Sequence, residues 1–279
     1  MNRALLFRLL LLVGLVAASP GRVKLVVHGE SFRTHSAQRS RESGVSGYAQ
    51  QKQAVRSVLL NLVLPLVLDM GYAGVDVHLH TQNSSWLGEL SEWYSPFLAS
   101  EADVTTTAAG KNWYNTFNGS VFEPPGRYEA VVFVRPDLIL KPLFRCALAS
   151  ANRSNILFAF REWKRADVVG DPNNKNRSAE ERALARVVDT VTWIPSRLFP
   201  YVQNPNCLVN NHDAMLCAAN WVGSDSVGFL LPAEQHDSDS AKDWNPLYRM
   251  ASRDEGAEDA SSVALDWSHL CAQQGILDA

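Results

Sequence analysis

The sequence predicts an α/β fold: a mostly parallel central sheet with helices on both faces. Several short runs are apolar throughout, as strands covered on both sides are. They alternate with segments whose apolar residues recur every three or four positions, the period of a helix buried along one stripe. Beyond about residue 22 there is no Gly/Ser- or Pro-rich linker, no internal repeat and no break in composition, so 22–279 reads as one domain. A chain of 279 residues, 46% hydrophobic and 20% charged, has the material for a core of that size and is too apolar for a disordered protein.

Val23-Lys24-Leu25-Val26-Val27 is the first buried-strand candidate, closed by His28-Gly29. Glu30 to Gly47 is polar and reads as loop. Val55, Val58, Leu59, Leu62, Val63, Leu66 and Val67 then carry helical spacing, with Pro65 inside the pattern. Proline lacks the amide hydrogen and its ring strikes the carbonyl four residues back, so the helix is expected to kink or end just before it. From Val75 to His80 the pattern alternates, Val75, Val77 and Leu79 against Asp76, His78 and His80, which is the period of a strand. A helix is expected over Trp86–Leu98 and a short strand over Val104–Thr107. Ala130–Val134 is continuously apolar and ends in Arg135-Pro136-Asp137; Ile156–Phe160 is a further strand candidate. Ser178 and Glu181 fit a capping box that would open a helix carrying Ala183, Leu184, Val187 and Val188. Val191–Ile194 and Val227–Leu231 complete the strands, and Glu234–Asp243 and Asp254–Asp259 read as surface loops.

The N-terminus suggests a compartment. Residues 1–18 read as a secretory signal peptide: Arg3 and Arg8 supply positive charge, Leu9–Ala18 is apolar, and Val16, Ala17 and Ala18 are small enough for cleavage. The alternative is a short signal-anchor, although the uninterrupted run is about half the ~20 residues a spanning helix needs. Four sequons, at Asn83, Asn118, Asn152 and Asn176, and an even set of cysteines, 146, 207, 217 and 271, agree with the lumen of the secretory pathway or the extracellular space. The four cysteines allow three connectivities. Lys and Arg total 26 against 29 Asp and Glu, a net charge of −3 that gives no field for a polyanion, so nucleic acid is not expected as a partner. Contact with a membrane is expected only if the N-terminal segment stays uncleaved.

In doubly covered parallel sheets, ligands sit at the carboxyl ends of the strands. The polar residues there are Gly29-Glu30-Ser31-Phe32-Arg33, His80-Thr81 and Arg135-Pro136-Asp137. A glycine lets a ligand approach the backbone, and Ser31 and Arg33 have the donors to hold a diphosphate. Arg135 suits phosphate because its planar fork bonds two oxygens at once, while the Asp137 carboxylate is the ligand type a hard divalent cation prefers. Other chemistries fit less well. Val27 stands where a histidine phosphatase needs arginine, no Gly-x-Ser-x-Gly elbow occurs, and His78 with His80 lack a third zinc ligand at informative spacing.

In order, the pieces Val26–Arg33, Val75–Thr81, Ala130–Leu138 and Val187–Pro195 resemble GT-A-like glycosyltransferases of eukaryotic, largely algal and protist, sequences, with Arg135-Pro136-Asp137 in the place of an Asp-x-Asp. The resemblance spans about residues 23–232 and implies a GT-A-like, nucleotide-diphospho-sugar-transferase-like domain. It implies a nucleotide-sugar donor held by Gly29, Glu30, Ser31, Arg33, Thr81, Arg135 and Asp137, a glycan or glycoprotein acceptor, and Mn²⁺ or Mg²⁺ on Asp137. An inverting transfer needs a carboxylate to take the acceptor's proton, and Asp213 and Asp189 are the candidates. The missing first Asp keeps an alternative open: a catalytically silent, lectin-like protein that binds a sugar or nucleotide.

Overall fold

The computed structural model describes residues 21–29, 31–32, 46–82, 84–98, 104–107, 126–160, 162–163, 190–202, 222–231, 235–236 and 247–250. In chain order these form β1 (Arg22–Gly29), α1 (Ser46–Val58), a π-helical turn (Leu59–Val63), α2 (Leu64–Leu68), β2 (Val75–Gln82), α3 (Leu87–Tyr94), β3 (Val104–Thr107), β4 (Tyr128–Val134), β5 (Leu138–Leu140), α4 (Pro142–Ser150), β6 (Ile156–Phe158), β7 (Glu162–Trp163), β8 (Val191–Pro195), a 3₁₀ turn (Ser196–Leu198), α5 (Phe199–Val202), a 3₁₀ turn (Ser224–Ser226), β9 (Val227–Phe229), β10 (Gln235–His236) and β11 (Tyr248–Met250).

The main sheet has seven strands in the order β3-β2-β1-β4-β8-β6-β9. Neighbours are parallel along β3-β2-β1-β4 and between β6 and β9, whereas β8 runs antiparallel to both β4 and β6. The sheet is therefore mostly parallel, as the apolar runs predict. Alternation along each strand feeds two cores. Val23, Leu25 and Val27, with Val75, Val77 and Leu79 and with Ala130, Val132 and Val134, join apolar residues of α1, α2, α3 and α4. Val26, Val131, Phe133, Ile156, Phe158 and Ile194 face the opposite way and pack with Leu198 and Phe199.

Just before Pro65 the helix changes character rather than stopping. It widens instead: the Leu64 amide donates to the Leu59 carbonyl, five residues back, and Pro65 becomes a first-turn residue of α2. The wider turn re-routes the hydrogen bonds that proline disrupts, and a first-turn proline forfeits no bond. The buried stripe Val55, Val58, Leu62, Val63, Leu66 and Val67 runs through unbroken. The helix after β2 is shorter than expected, Leu87–Tyr94 rather than Trp86–Leu98. Its apolar tail is used otherwise, Leu98 forming a bridge with Val77.

Sequence patterning does not reveal β5, which pairs antiparallel with β11. Its other edge is satisfied by side chains of the long helix. The Ser57 hydroxyl accepts the Leu140 amide at 2.8 Å, and the Asn61 side-chain amide donates to the Leu140 carbonyl at 2.8 Å. Polar residues on a helix here do the work of a missing strand. The capping-box helix from Ser178 and the loop Asp254–Asp259 lie outside the described residues, and the stretch expected as loop over Glu234–Asp243 contains β10, paired parallel with β7.

At the amino end of the parallel strands, Asp76 is 3% exposed. It accepts from Arg22 at both oxygens, from Arg127 at 3.2 Å and from the Tyr128 hydroxyl at 3.1 Å. Burial opposes its charge, but the hydrogen bond and charge of Arg22, followed by Tyr128 and Arg127, outweigh it and hold the carboxyl below its ordinary 3.8. The folded state therefore binds the Asp76 proton less readily than the unfolded chain. The resulting stability is fully present above the ordinary carboxylate range and is lost as pH falls through the folded value. Asp76→Asn is expected to be less stable than the parent at pH 7, with the gap narrowing toward pH 3 in urea unfolding. A gap of constant size would show that the charge of Asp76 contributes nothing.

Candidate functional site

Parallel register brings the carboxyl ends of β1, β2 and β4 to one edge. His28 lies opposite His80, Gly29 opposite Thr81, and Val27 opposite Val134. Gly29 has φ +127°, a backbone conformation that side chains oppose. A Cβ there would stand 3.1 Å from Cδ of Pro136, so the tip of β1 lies directly against the turn that leaves β4. Ser31 and Thr81 are 5% and 1% exposed, and the Thr81 hydroxyl donates to Ser31 Oγ at 2.8 Å. Gly29, Ser31, Thr81 and the Arg135-Pro136-Asp137 turn, all predicted from sequence, thus share this edge. Glu30, Arg33, Asp189 and Asp213 lie outside the described residues.

Arg135 and Asp137 bind each other. Nε donates to Oδ1 at 3.0 Å and Nη2 to Oδ2 at 2.7 Å, a two-pronged pair with side chains 14% and 4% exposed. The pair is braced from behind. The Arg135 amide donates to the Thr190 carbonyl at 3.1 Å, and the Thr190 hydroxyl bonds the Tyr248 hydroxyl at 3.0 Å. Tyr248 is fully buried, its ring stacked on Phe160 at 6.1 Å.

This arrangement bears on the expected metal. Both oxygens of Asp137 are engaged by the Arg135 fork, and among the described residues no group of three or more His, Cys, Asp or Glu is placed to hold a cation. Among the described residues, Asp137 by itself, already bonded to a guanidinium, does not make up the several-oxygen site on which Mn²⁺ or Mg²⁺ draws. Among the described residues, Arg135 brings a guanidinium to this edge. His28 and His80 are also at the strand ends, 6% and 7% exposed, and burial pushes the His80 pKa below its ordinary value.

One residue of the site escapes the reading of strand ends. Gln51, on α1, is 3% exposed. Its side-chain oxygen accepts the Phe32 amide at 2.8 Å, and its nitrogen donates to the Pro136 carbonyl at 2.8 Å. The signal for it was present: Gln51 occupies the same helical stripe as Val55, Val58 and Leu62, and a polar residue on a buried stripe needs partners. Phe32 itself adopts φ +56°. Its ring, 1% exposed, lies 6.1 Å from Tyr48 and 6.1 Å from Trp93.

No family model and no curated protein matches the chain. Solved structures do. The chain is similar to 4-diphosphocytidyl-2C-methyl-D-erythritol synthase from Anaerococcus prevotii, at 8% identity over 80% of this chain and 91% of that one, with a TM-score of 0.45. It is similar to glucosyl-3-phosphoglycerate synthase from Mycobacterium tuberculosis in complex with Mn²⁺, UDP and glucosyl-3-phosphoglycerate, at 14% identity over 78% and 73%, with a TM-score of 0.40. It is also similar to the inositol-1-phosphate CTP transferase of T. maritima, at 15% identity over 77% and 86%, with a TM-score of 0.37. Identities this low leave the chemistry of the site to its own residues.

Proposed function

We propose that the chain is a GT-A-like glycosyltransferase that moves a sugar from a nucleotide-sugar donor to a glycan or glycoprotein acceptor in the secretory pathway. The observation that carries the reading is the shared strand-end edge. There, parallel register sets a positive-φ glycine and the Ser31–Thr81 hydroxyl pair beside a two-pronged arginine. Hydroxyls and a guanidinium fork are donors that suit a diphosphate. Arg135 meets the leaving phosphates by exchanging Asp137 for phosphate oxygens, and Asp137 is freed toward the donor sugar. Glu30 and Arg33 extend the donor contacts, and Asp213 or Asp189 supplies the base.

Two features support the compartment. Asn152 is exposed in a sequon, where its side-chain oxygen accepts the Ser154 amide at 3.2 Å, so a glycan has room there. Cys146, on α4, is disulfide-bonded, as an oxidising lumen favours. The other sequon asparagines, Cys207, Cys217, Cys271 and residues 1–18 lie outside the described residues. Among the described residues no helix is long and apolar enough to cross a membrane.

The closed Arg135–Asp137 pair also favours a second reading, a protein that binds a sugar or nucleotide without turnover. A thermal-shift screen with UDP, GDP, CMP and their sugars, with and without Mn²⁺, separates the cases. One nucleotide class is expected to raise the midpoint, with about 2.7 kcal/mol of added stability at a hundred times its Kd. Hydrolysis or transfer of the matching nucleotide-sugar then distinguishes the enzyme from the binder. A midpoint unmoved by every nucleotide would defeat the transferase reading and leave sugar binding alone, to be tested with glycans.

A further inference from the structure

The two loops that carry the candidate site are tied together by one uncharged side chain. Gln51 lies 19 positions from Phe32 and 85 from Pro136, and bonds the backbone of both at 2.8 Å while 3% exposed. Phe32 is the non-glycine residue at positive φ among the described residues, a conformation that has to be held by its surroundings. On one side Tyr48 and Trp93 hold its ring. On the other, Gln51, one helical turn beyond Tyr48, holds its amide. The second end of Gln51 fixes the carbonyl between Arg135 and Asp137.

We infer that Gln51 is a positioning residue that couples Ser31-Phe32, just after β1, to the Arg135-Pro136-Asp137 turn, so that the two segments hold or release together. The inference rests on the donor-site reading for its functional meaning, but the coupling itself is a property of the fold. The chemistry demands an amide at position 51. One atom must accept and the other donate; an ionised carboxylate offers only acceptors, and an apolar chain offers neither. A protonated carboxyl restores both, since its hydroxyl donates and its carbonyl accepts. A carboxyl buried beside a peptide carbonyl is held toward its protonated form. Gln51→Glu should therefore turn a permanent coupling into one switched by pH.

The test is hydrogen exchange on the full chain, corrected for intrinsic rates, at pH 5 and pH 7.5. In Gln51→Glu at pH 7.5, the amides of Phe32 and of Asp137–Leu138 are expected to exchange at least tenfold faster than in the parent. The central amides of β1, β2 and β4 should be unchanged. At pH 5 both segments should return toward parental rates. Gln51→Met should be fast at both pH values. Acceleration in one segment alone, or no recovery of Gln51→Glu at pH 5, would overturn the inference. If neither position-51 variant folds, Tyr48→Ala provides the check, because it loosens the seat of the Phe32 ring. Coupling requires the Asp137–Leu138 amides to quicken as well, and their staying slow would refute it. UDP added to the same samples separates the two claims. If no nucleotide shifts the parent, the donor-site reading fails, while the exchange pattern still decides the coupling.

Discussion

Arg135→Gln is expected to cut the nucleotide-dependent stabilisation to about half or less and, separately, to lower stability by about 3–5 kcal/mol. The two losses have different origins. Binding falls because a neutral amide cannot present two charge-assisted bonds to a diphosphate; losing bonds of about 1.5–3 kcal/mol weakens affinity roughly 10- to 100-fold. Stability falls because Asp137, whose side chain is 4% exposed, loses the fork that engages both its oxygens. Adding Asp137→Asn removes the buried charge and should restore part of the stability while leaving binding weakened. Urea unfolding of the parent, both single variants and the double variant measures this as a coupling energy, expected to lie at the upper end of the ~0.5–3 kcal/mol seen for touching residues. Simple additivity would mean the pair is not coupled. Full binding by Arg135→Gln would remove the guanidinium from the donor site.

Trp193→Ala is expected to cost about 3–5 kcal/mol, the cost of emptying a large buried site. Trp193 sits on β8, 2% exposed, its ring 5.9 Å from Tyr72. It lies opposite Val132 on one neighbouring strand and Leu157 on the other, so its loss opens the sheet where the antiparallel strand joins both halves. The midpoint of thermal unfolding should fall by about 6–20 °C. Trp193→Phe keeps most of the volume but loses the indole hydrogen bond to the Arg153 carbonyl at 2.9 Å, for about 1–3 kcal/mol. A Phe variant as unstable as the Ala variant would assign the effect to the hydrogen bond rather than to packing.

Most strands of the main sheet are legible because burial on both faces forces continuous apolar runs, Val75–His80 is legible from its alternation, and each of the seven predicted segments contains a strand. What stayed hidden depends on distant partners. Leu138–Leu140 is too short to show a period, and it becomes a strand only because Tyr248–Met250 pairs one edge while Ser57 and Asn61 satisfy the other. At Pro65 the sequence allows a kink or an end; the form the chain takes, a widened turn over Leu59–Val63, depends on packing that a local rule does not see. The site was legible as a set of strand tips, and Gly29, Ser31, Thr81, Arg135 and Asp137 do meet. The mutual bonding of Arg135 and Asp137 could be weighed from sequence but not decided, since two residues at that spacing can face each other or a ligand.

The position of β8 imposes a schedule on synthesis. The strands β1 to β4 are complete by Val134, but the neighbour that closes the far edge of β4 begins only at Val191. At about 5–20 residues per second, the ribosome takes roughly 3–12 s to deliver those intervening residues. Throughout that interval β4, an apolar strand whose side chains are nearly all buried in the finished protein, presents unpaired amides and carbonyls to whatever is near. Nascent chains stalled between these two points should therefore be those most readily captured by chaperones that recognise open strand edges.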